Sequence, residues 1–417
     1  MRSQTIHKEL SKLAKPTYVP AMDGFRGLAV LWIVVLHCWG ALGERMPLDG
    51  GPLRHFVASG YFGLDLLFIV SAFVLFLPAV YDGSVGDRRA YARRRAARIV
   101  PGFWVAAILT FVVALALGRV EGGVGAWLSH ATFLHQYAHN VADVGFGLNR
   151  AMWTMSVEVV FYFLLPFVAS RYNRHPFAGL GLAIVGAELW HLGTLHLPAI
   201  LQWAGISWGG AEDAQYRMAY VFPSYVAHFA VGMTAAWLFV RLRDLGDRRL
   251  SPQLVSAVGT AALIGFLALV FIRGRQRLHG ELGPFDPRVR TLDRTLLLGI
   301  VVLAAALGAA RLQGVLCNRA TRGLGTVSYG IYLSHMVLIV LLIPVLGLQK
   351  GTTSNTDLIL LVAAVVPLSI LIGIVSYRFL ETPFRRLARR KGTEAKRSDD
   401  RRSDDRLAPV ALVSSSA

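Results

Sequence analysis

The stretch DGFRGLAVLWIVVLHCWG, Asp23 to Gly40, carries a guanidinium, Arg26, and an imidazole, His37, in an otherwise apolar run. They are eleven residues apart. At about 100° per residue, eleven helical steps make three turns plus roughly 20°, so both side chains share one face with about 16 Å of rise between them. A guanidinium fork suits phosphate. An imidazole suits proton removal near neutral pH. A ligand reaching both is a long rod with an anionic head and a reactive far end. Acyl-coenzyme A has that form, with phosphates at one end of the pantetheine arm and the thioester at the other. Arg26 as an interfacial anchor and His37 as a satisfied interior histidine fit the same spacing, and the pair alone does not choose.

Three further clusters bear chemistry. In RRAYARRRAARIVPGFW, Arg88 to Trp104, Arg95 and Arg98 are three apart and hence neighbours at a helix start. They suit a clamp on nucleotide phosphates, or a plain basic loop. In MWTMSVEVVFYFLLP, Met152 to Pro166, Trp153 suits a membrane interface. Glu158 follows about a turn and a half later, with Ser156 beside it. That carboxylate can take a proton from an acceptor hydroxyl, orient His37, or pair with another buried group. In GTVSYGIYLSHMVL, Gly325 to Leu338, the helical spacing of Ser328, Tyr332 and His335 makes a polar stripe. It suits a substrate cavity or an interhelical hydrogen-bond seam.

Weaker signals complete the inventory. Asp65, in GYFGLDLLFIVSAF, can hold a sugar hydroxyl or a helix terminus. His130, His135 and His139 lie close together in HATFLHQYAH, but no cysteine accompanies them and no metal site is expected. No phosphate-binding loop, nucleophile elbow or zinc-protease motif is present.

These residues need a scaffold, and composition says which kind. Of 417 residues 54% are hydrophobic and only 16% charged, with a mean hydropathy of +0.50. A soluble domain has less apolar content and more charge. A helix needs about 20 apolar residues to cross the hydrocarbon core. Ten segments qualify, near 25–43, 56–80, 99–118, 151–170, 176–197, 218–240, 254–272, 294–310, 324–349 and 357–379. The fifth is the weakest, carrying Glu188, His191 and His196, and the eighth is short. The expected fold is an all-α polytopic membrane protein of about ten transmembrane helices.

The net charge of +18 would suggest nucleic acid in a soluble protein. Here most of the 43 Lys and Arg punctuate alternate ends of the apolar segments. That is the positive-inside pattern with both termini cytoplasmic, and no nucleic-acid partner is expected. The loop RGRQRLHGELGPFDPRVR, Arg273 to Arg290, is the one dissenter. Cys38 and Cys317 lie in unlike settings and imply no disulfide framework. The first apolar run lacks a small-residue cleavage site and is expected to stay as the first helix. Residues 1–18 read as a cytoplasmic N-terminal segment and 19–390 as the membrane domain. Residues 391–417, with the pentad RSDDR twice, read as a disordered cytoplasmic tail.

Six motifs taken in order carry a more specific signal. MDGFRGLAVLWIVVLHCW, GLDLLFIVSAFVLF, RRAARIVPGFW, WTMSVEVVFYFLLP, VSYGIYLSHMVL and YRFLETPFRR together make the chain resemble the acyltransferase-3 family across about Val19 to Arg386. The resemblance implies transfer of an acyl group, often acetyl, from cytoplasmic acyl-coenzyme A to a hydroxyl of an envelope polysaccharide, lipid-linked sugar or glycoside. It implies His37 as the catalytic histidine, Arg26, Arg95 and Arg98 as donor-binding residues, and Trp153, Ser156 and Glu158 as a functional stretch. Thr154 stands where the family has a first serine there. Ala72 follows Ser71 where Gly is common, and Ser334 precedes His335 where Trp is common.

The combined expectation is an O-acetyltransferase of a bacterial inner membrane, using acetyl-CoA as donor and no metal. His37 and Glu158 are the catalytic pair. Asp65, Trp153, Ser156, Tyr332 and His335 face the acceptor, which is a carbohydrate, glycolipid or glycoside. His37 then acts as general base or as transient acyl carrier. A glycan transporter or flippase would also need many spans and midplane polar groups. However, the sequence shows no internal repeat.

Overall fold

A computed structural model describes residues 18–43, 51–118, 128–137, 149–204, 218–244, 251–279, 292–349, 351 and 355–388. The N-terminal segment, His139 and the RSDDR tail lie outside the described residues. Apolar segments in lipid must satisfy their own backbone groups, and helices do so. Among the described residues there are helices and no strand. They run in the order α1 (Pro20–Ala41), α2 (Pro52–Ala58), α3 (Phe62–Asp82), α4 (Arg88–Ala116), α5 (Trp153–Arg174) and α6 (Pro176–Trp203). Then follow α7 (Val226–Asp244), α8 (Pro252–Leu278), α9 (Leu292–Ala306), α10 (Ala310–Leu316), α11 (Arg319–Val345) and α12 (Asn355–Ser376).

Among the described residues nine helices are long and apolar enough to cross a membrane, and α9 with α10 makes a tenth if the bent pair is one span. Outward rows such as Ile108, Leu109, Val112 and Leu115 on α4 are exposed and fit a lipid surface. The protein is therefore an integral membrane protein. The weak fifth segment is one continuous helix, α6.

Two differences from the sequence reading have local causes. The eighth segment turns by 88° between α9 and α10. Gly308 sits there at φ +99°, and the amide of Ala309 reaches back to the carbonyl of Ala304 at 3.0 Å. This is a left-handed helix stop that favours glycine. The third segment begins at Arg88, eleven residues before the apolar run. Asp87 caps it by accepting from the amides of Arg89 (2.9 Å) and Ala90 (3.2 Å). Arg95 and Arg98 thus ride on a rigid helix rather than in a loop.

α1 begins with Pro20, whose missing N–H costs nothing at a first helical turn. It stands between two apolar cores. Phe25 joins one with Phe68, Phe73, Phe161 and Phe229. Val30, Ile33 and Val34 join the other with Ile331, Ile339 and Leu361. Its closest neighbour is α11. A Cβ on Gly325 would collide with the Asp23 backbone carbonyl, so only glycine permits that approach.

Candidate active site

Helices α1, α3, α4, α5 and α11 line a partly open pocket whose empty space, counted out into open solvent, is about 790 Å³. Arg26 enters it from α1 and Arg95 and Arg98 from α4. Ser71 comes from α3, Glu158 and Tyr162 from α5, and Tyr329 and Tyr332 from α11. Tyr329 ties α11 to α4 by donating to the Ile99 carbonyl at 2.7 Å. The arginines thereby face one space although the two helices are far apart in sequence.

Three arginines line the pocket. Arg26 has a loose ion pair with Asp23 at 3.6 Å, and the Tyr18 hydroxyl shares that carboxylate at 2.8 Å. Among the described residues Arg95 and Arg98 have no ion pair or hydrogen bond, and the Arg95 guanidinium lies 5.9 Å from the centre of the Tyr91 ring. Glu158 is the carboxylate in the lining. It accepts a hydrogen bond from Tyr162, one turn along α5, and the Tyr162 hydroxyl also meets Ser71 at 3.3 Å. In the lining three guanidiniums face one carboxylate, with Asp23 beside Arg26 and buried Glu381 near Arg98 outside it; the guanidinium forks suit phosphate.

At one end of the cavity the hydroxyls of Thr154 and Tyr332 meet at 3.0 Å. His335 follows Tyr332 on α11, their rings 5.6 Å apart. Its Nε2 lies 2.7 Å from Nδ1 of His37. His37 is half-buried and His335 fully buried. The lining does not include His37 or His335; Tyr332 is the lining residue next to them. Asn149 donates to the Leu333 carbonyl at 2.9 Å and pins the approach to α5 against this part of α11.

Arg26, Arg95, Arg98, Glu158 and Tyr332 are therefore brought together, and His37 and His335 are joined beside them. The rest are placed elsewhere. Asp65 is buried, with Oδ2 2.6 Å from Arg294 Nε and Oδ1 3.1 Å from His228 Nε2. Both carboxylate oxygens are engaged by side chains of α7 and α9. Trp153 is 5% exposed and packs on Tyr220 and Tyr225 at 4.8 and 5.5 Å. Ser156 donates to the Phe133 carbonyl at 2.7 Å, so it braces the segment 128–137 rather than the cavity. Glu158 meets Tyr162 and not His37.

That segment stacks His130 on His135, rings 4.3 Å apart. Burial, with the neighbouring His130, holds the His135 imidazole down to about 3, so it is neutral at physiological pH. Among the described residues no group of three metal-ligating side chains occurs.

Sequence reasoning missed Arg294, Tyr162 and Tyr329. Arg294 interrupts the start of an apolar helix, and an arginine there needs a buried partner. Tyr162 is four residues after Glu158, the spacing of helix neighbours. Tyr329 offered no local signal.

A bundle of helices long and apolar enough to cross a membrane, with three arginines lining one pocket and a paired imidazole beside it, defines the class: an integral membrane protein. The chain belongs to the acyltransferase-3 family, whose model, described as an acyltransferase domain, matches residues 19–378. It is 25% identical over 386 residues to the peptidoglycan O-acetyltransferase OatA of Listeria monocytogenes, covering 88% of this chain and 56% of that one. It is 21% identical over 393 residues to the O-acetyltransferase OatA of Staphylococcus aureus, covering 91% and 59%. The chain thus spans little more than half the length of these curated relatives. No solved structure matches it.

Proposed function

We propose that this protein transfers an acetyl group from acetyl-coenzyme A to a hydroxyl of a carbohydrate, glycolipid or glycoside of the cell envelope. One observation carries the reading: three arginines from two helices face a single cavity, and His37 lies about three turns from Arg26 on the same continuous helix, α1. The arginines hold the phosphates of the donor. Its pantetheine arm runs along α1 past Val30 and Tyr332, and its thioester reaches His37. The charge bias along the sequence supports entry of the donor from the cytoplasm and, with the relatives' names, a place in a bacterial inner membrane.

His37 then works as general base. Its free ring nitrogen takes the proton of the acceptor hydroxyl as that oxygen bonds to the thioester carbonyl carbon. The carbon–sulfur bond breaks, and the departing thiolate takes the proton back from the imidazolium. Holding both reactants in line supplies several kcal/mol of barrier reduction. Glu158 offsets the arginines and fixes Tyr162; it does not orient His37.

The test is direct. Purified protein in detergent, given acetyl-coenzyme A and an N-acetylglucosamine tetramer, should release free thiol and form acetylated sugar in equal amounts. Binding of the donor without thiol release would refute transfer and favour transport.

A further inference from the structure

Resting on the reading of His37 as base, we propose that His335 is the positioning residue that sets the His37 tautomer, the part a carboxylate plays in other histidine-based sites. A neutral imidazole has one N–H and one lone pair, and only the bare nitrogen can accept a proton. Which nitrogen is bare depends on what the other one bonds.

The two rings lie 9° from coplanar with centres 5.0 Å apart, and Nδ1 of His37 meets Nε2 of His335 at 2.7 Å. That is an edge-to-edge N–H···N bond, with one nitrogen donating. His335 Nδ1 is buried and, among the described residues, has no hydrogen-bond partner. The base role then fixes the direction of the shared bond. Nδ1 of His37 is held by His335, so the nitrogen left for the acceptor hydroxyl is Nε2, and it must be bare to take a proton. The hydrogen of the shared bond therefore sits on Nδ1 of His37, and Nε2 of His335 accepts it.

Two further observations favour the role. Among the described residues no carboxylate meets either imidazole; Glu158 is engaged by Tyr162 and Asp65 by Arg294 and His228. The pair also bridges α1 and α11, which the contact of Gly325 on Asp23 holds in close register.

The experiment has two arms. In the first, turnover of acetyl-coenzyme A with the N-acetylglucosamine tetramer is measured for His335→Leu, His335→Gln and His37→Gln, with folding checked by thermal melting. His335→Leu should lose about 100-fold or more in kcat, the scale of a lost orienting partner, with donor KM unchanged. His335→Gln, whose amide oxygen can accept at the place of Nε2, should recover most of it. Equal loss in both His335 variants, or wild-type kcat in His335→Leu, would overturn the proposal. If His37→Gln kept wild-type turnover, the base assignment itself would fall instead.

The second arm needs no activity. Nitrogen-15 spectra of histidine-labelled full-length protein in lipid at pH 8, assigned by the signals lost in His37→Gln, should show His37 with a protonated Nδ1 and a bare Nε2. The opposite tautomer would overturn the proposal even if every variant were inactive.

Discussion

Arg294 at the head of α9 grips Asp65 near the start of α3 at 2.6 Å, inside the bundle and out of reach of solvent. His228 completes the group at 3.1 Å, and the Phe62 ring lies 4.8 Å from the guanidinium carbon. A carboxylate and a guanidinium cannot be left bare in such a place. Their mutual capture joins α3, α7 and α9 and occupies both oxygens of Asp65.

Removing Asp65 should therefore act on stability. Breaking one side of a buried ion pair costs about 3–5 kcal/mol, because the surviving charge is stranded. Asp65→Leu should lower the melting temperature sharply, and Asp65→Leu with Arg294→Met should recover much of the loss. The folded fraction should keep its acceptor KM. A raised acceptor KM at an unchanged melting temperature would return Asp65 to the substrate.

The arginines should act on donor affinity. A hydrogen bond to a charged group is worth about 1.5–3 kcal/mol, so Arg26→Ala, Arg95→Ala and Arg98→Ala should each weaken acetyl-coenzyme A binding by about tenfold or more. Direct binding of labelled donor checks this. Arg95→Lys should fall between wild type and alanine, since an ammonium keeps the charge and loses the fork. Unchanged affinity in all three alanine variants would empty the cavity of its assigned ligand.

Glu158→Gln should bind the donor as tightly as wild type or tighter. The change keeps the side-chain shape near Tyr162 and removes the carboxylate from beside the phosphates. Weaker donor binding in this variant would mean that Glu158 holds the arginines in place by more than charge balance.

Gly325→Ala tests the approach of α1 to α11. Its methyl would meet the Asp23 backbone carbonyl, and overpacking of this kind costs about 1–3 kcal/mol. The melting temperature should drop, and kcat should fall further than donor affinity, because the shift separates His37 from His335. Wild-type melting and turnover would show that the two helices have slack.

The spans were legible in the sequence because lipid demands long apolar runs, and the Arg26–His37 relation was legible because both lie on one unbroken helix. Arg95 and Arg98 were legible as neighbours, but their rigid platform depended on the Asp87 cap upstream of the apolar run. What stayed hidden was long range. Asp65 and Arg294 are separated by 229 positions, and His37 and His335 by 298. No local pattern links such pairs; they meet only through helix packing. The same holds for Ser156, whose hydroxyl suits a substrate in sequence but braces the Phe133 turn in space.

Replacing His37 by glutamine, in purified protein with saturating acetyl-coenzyme A and the N-acetylglucosamine tetramer, measures the claim on which the proposed chemistry rests. The variant should bind the donor with wild-type affinity and lose acetyl transfer by at least about 100-fold, the lower range for a positioned general base. Wild-type turnover in a folded His37→Gln protein would contradict it.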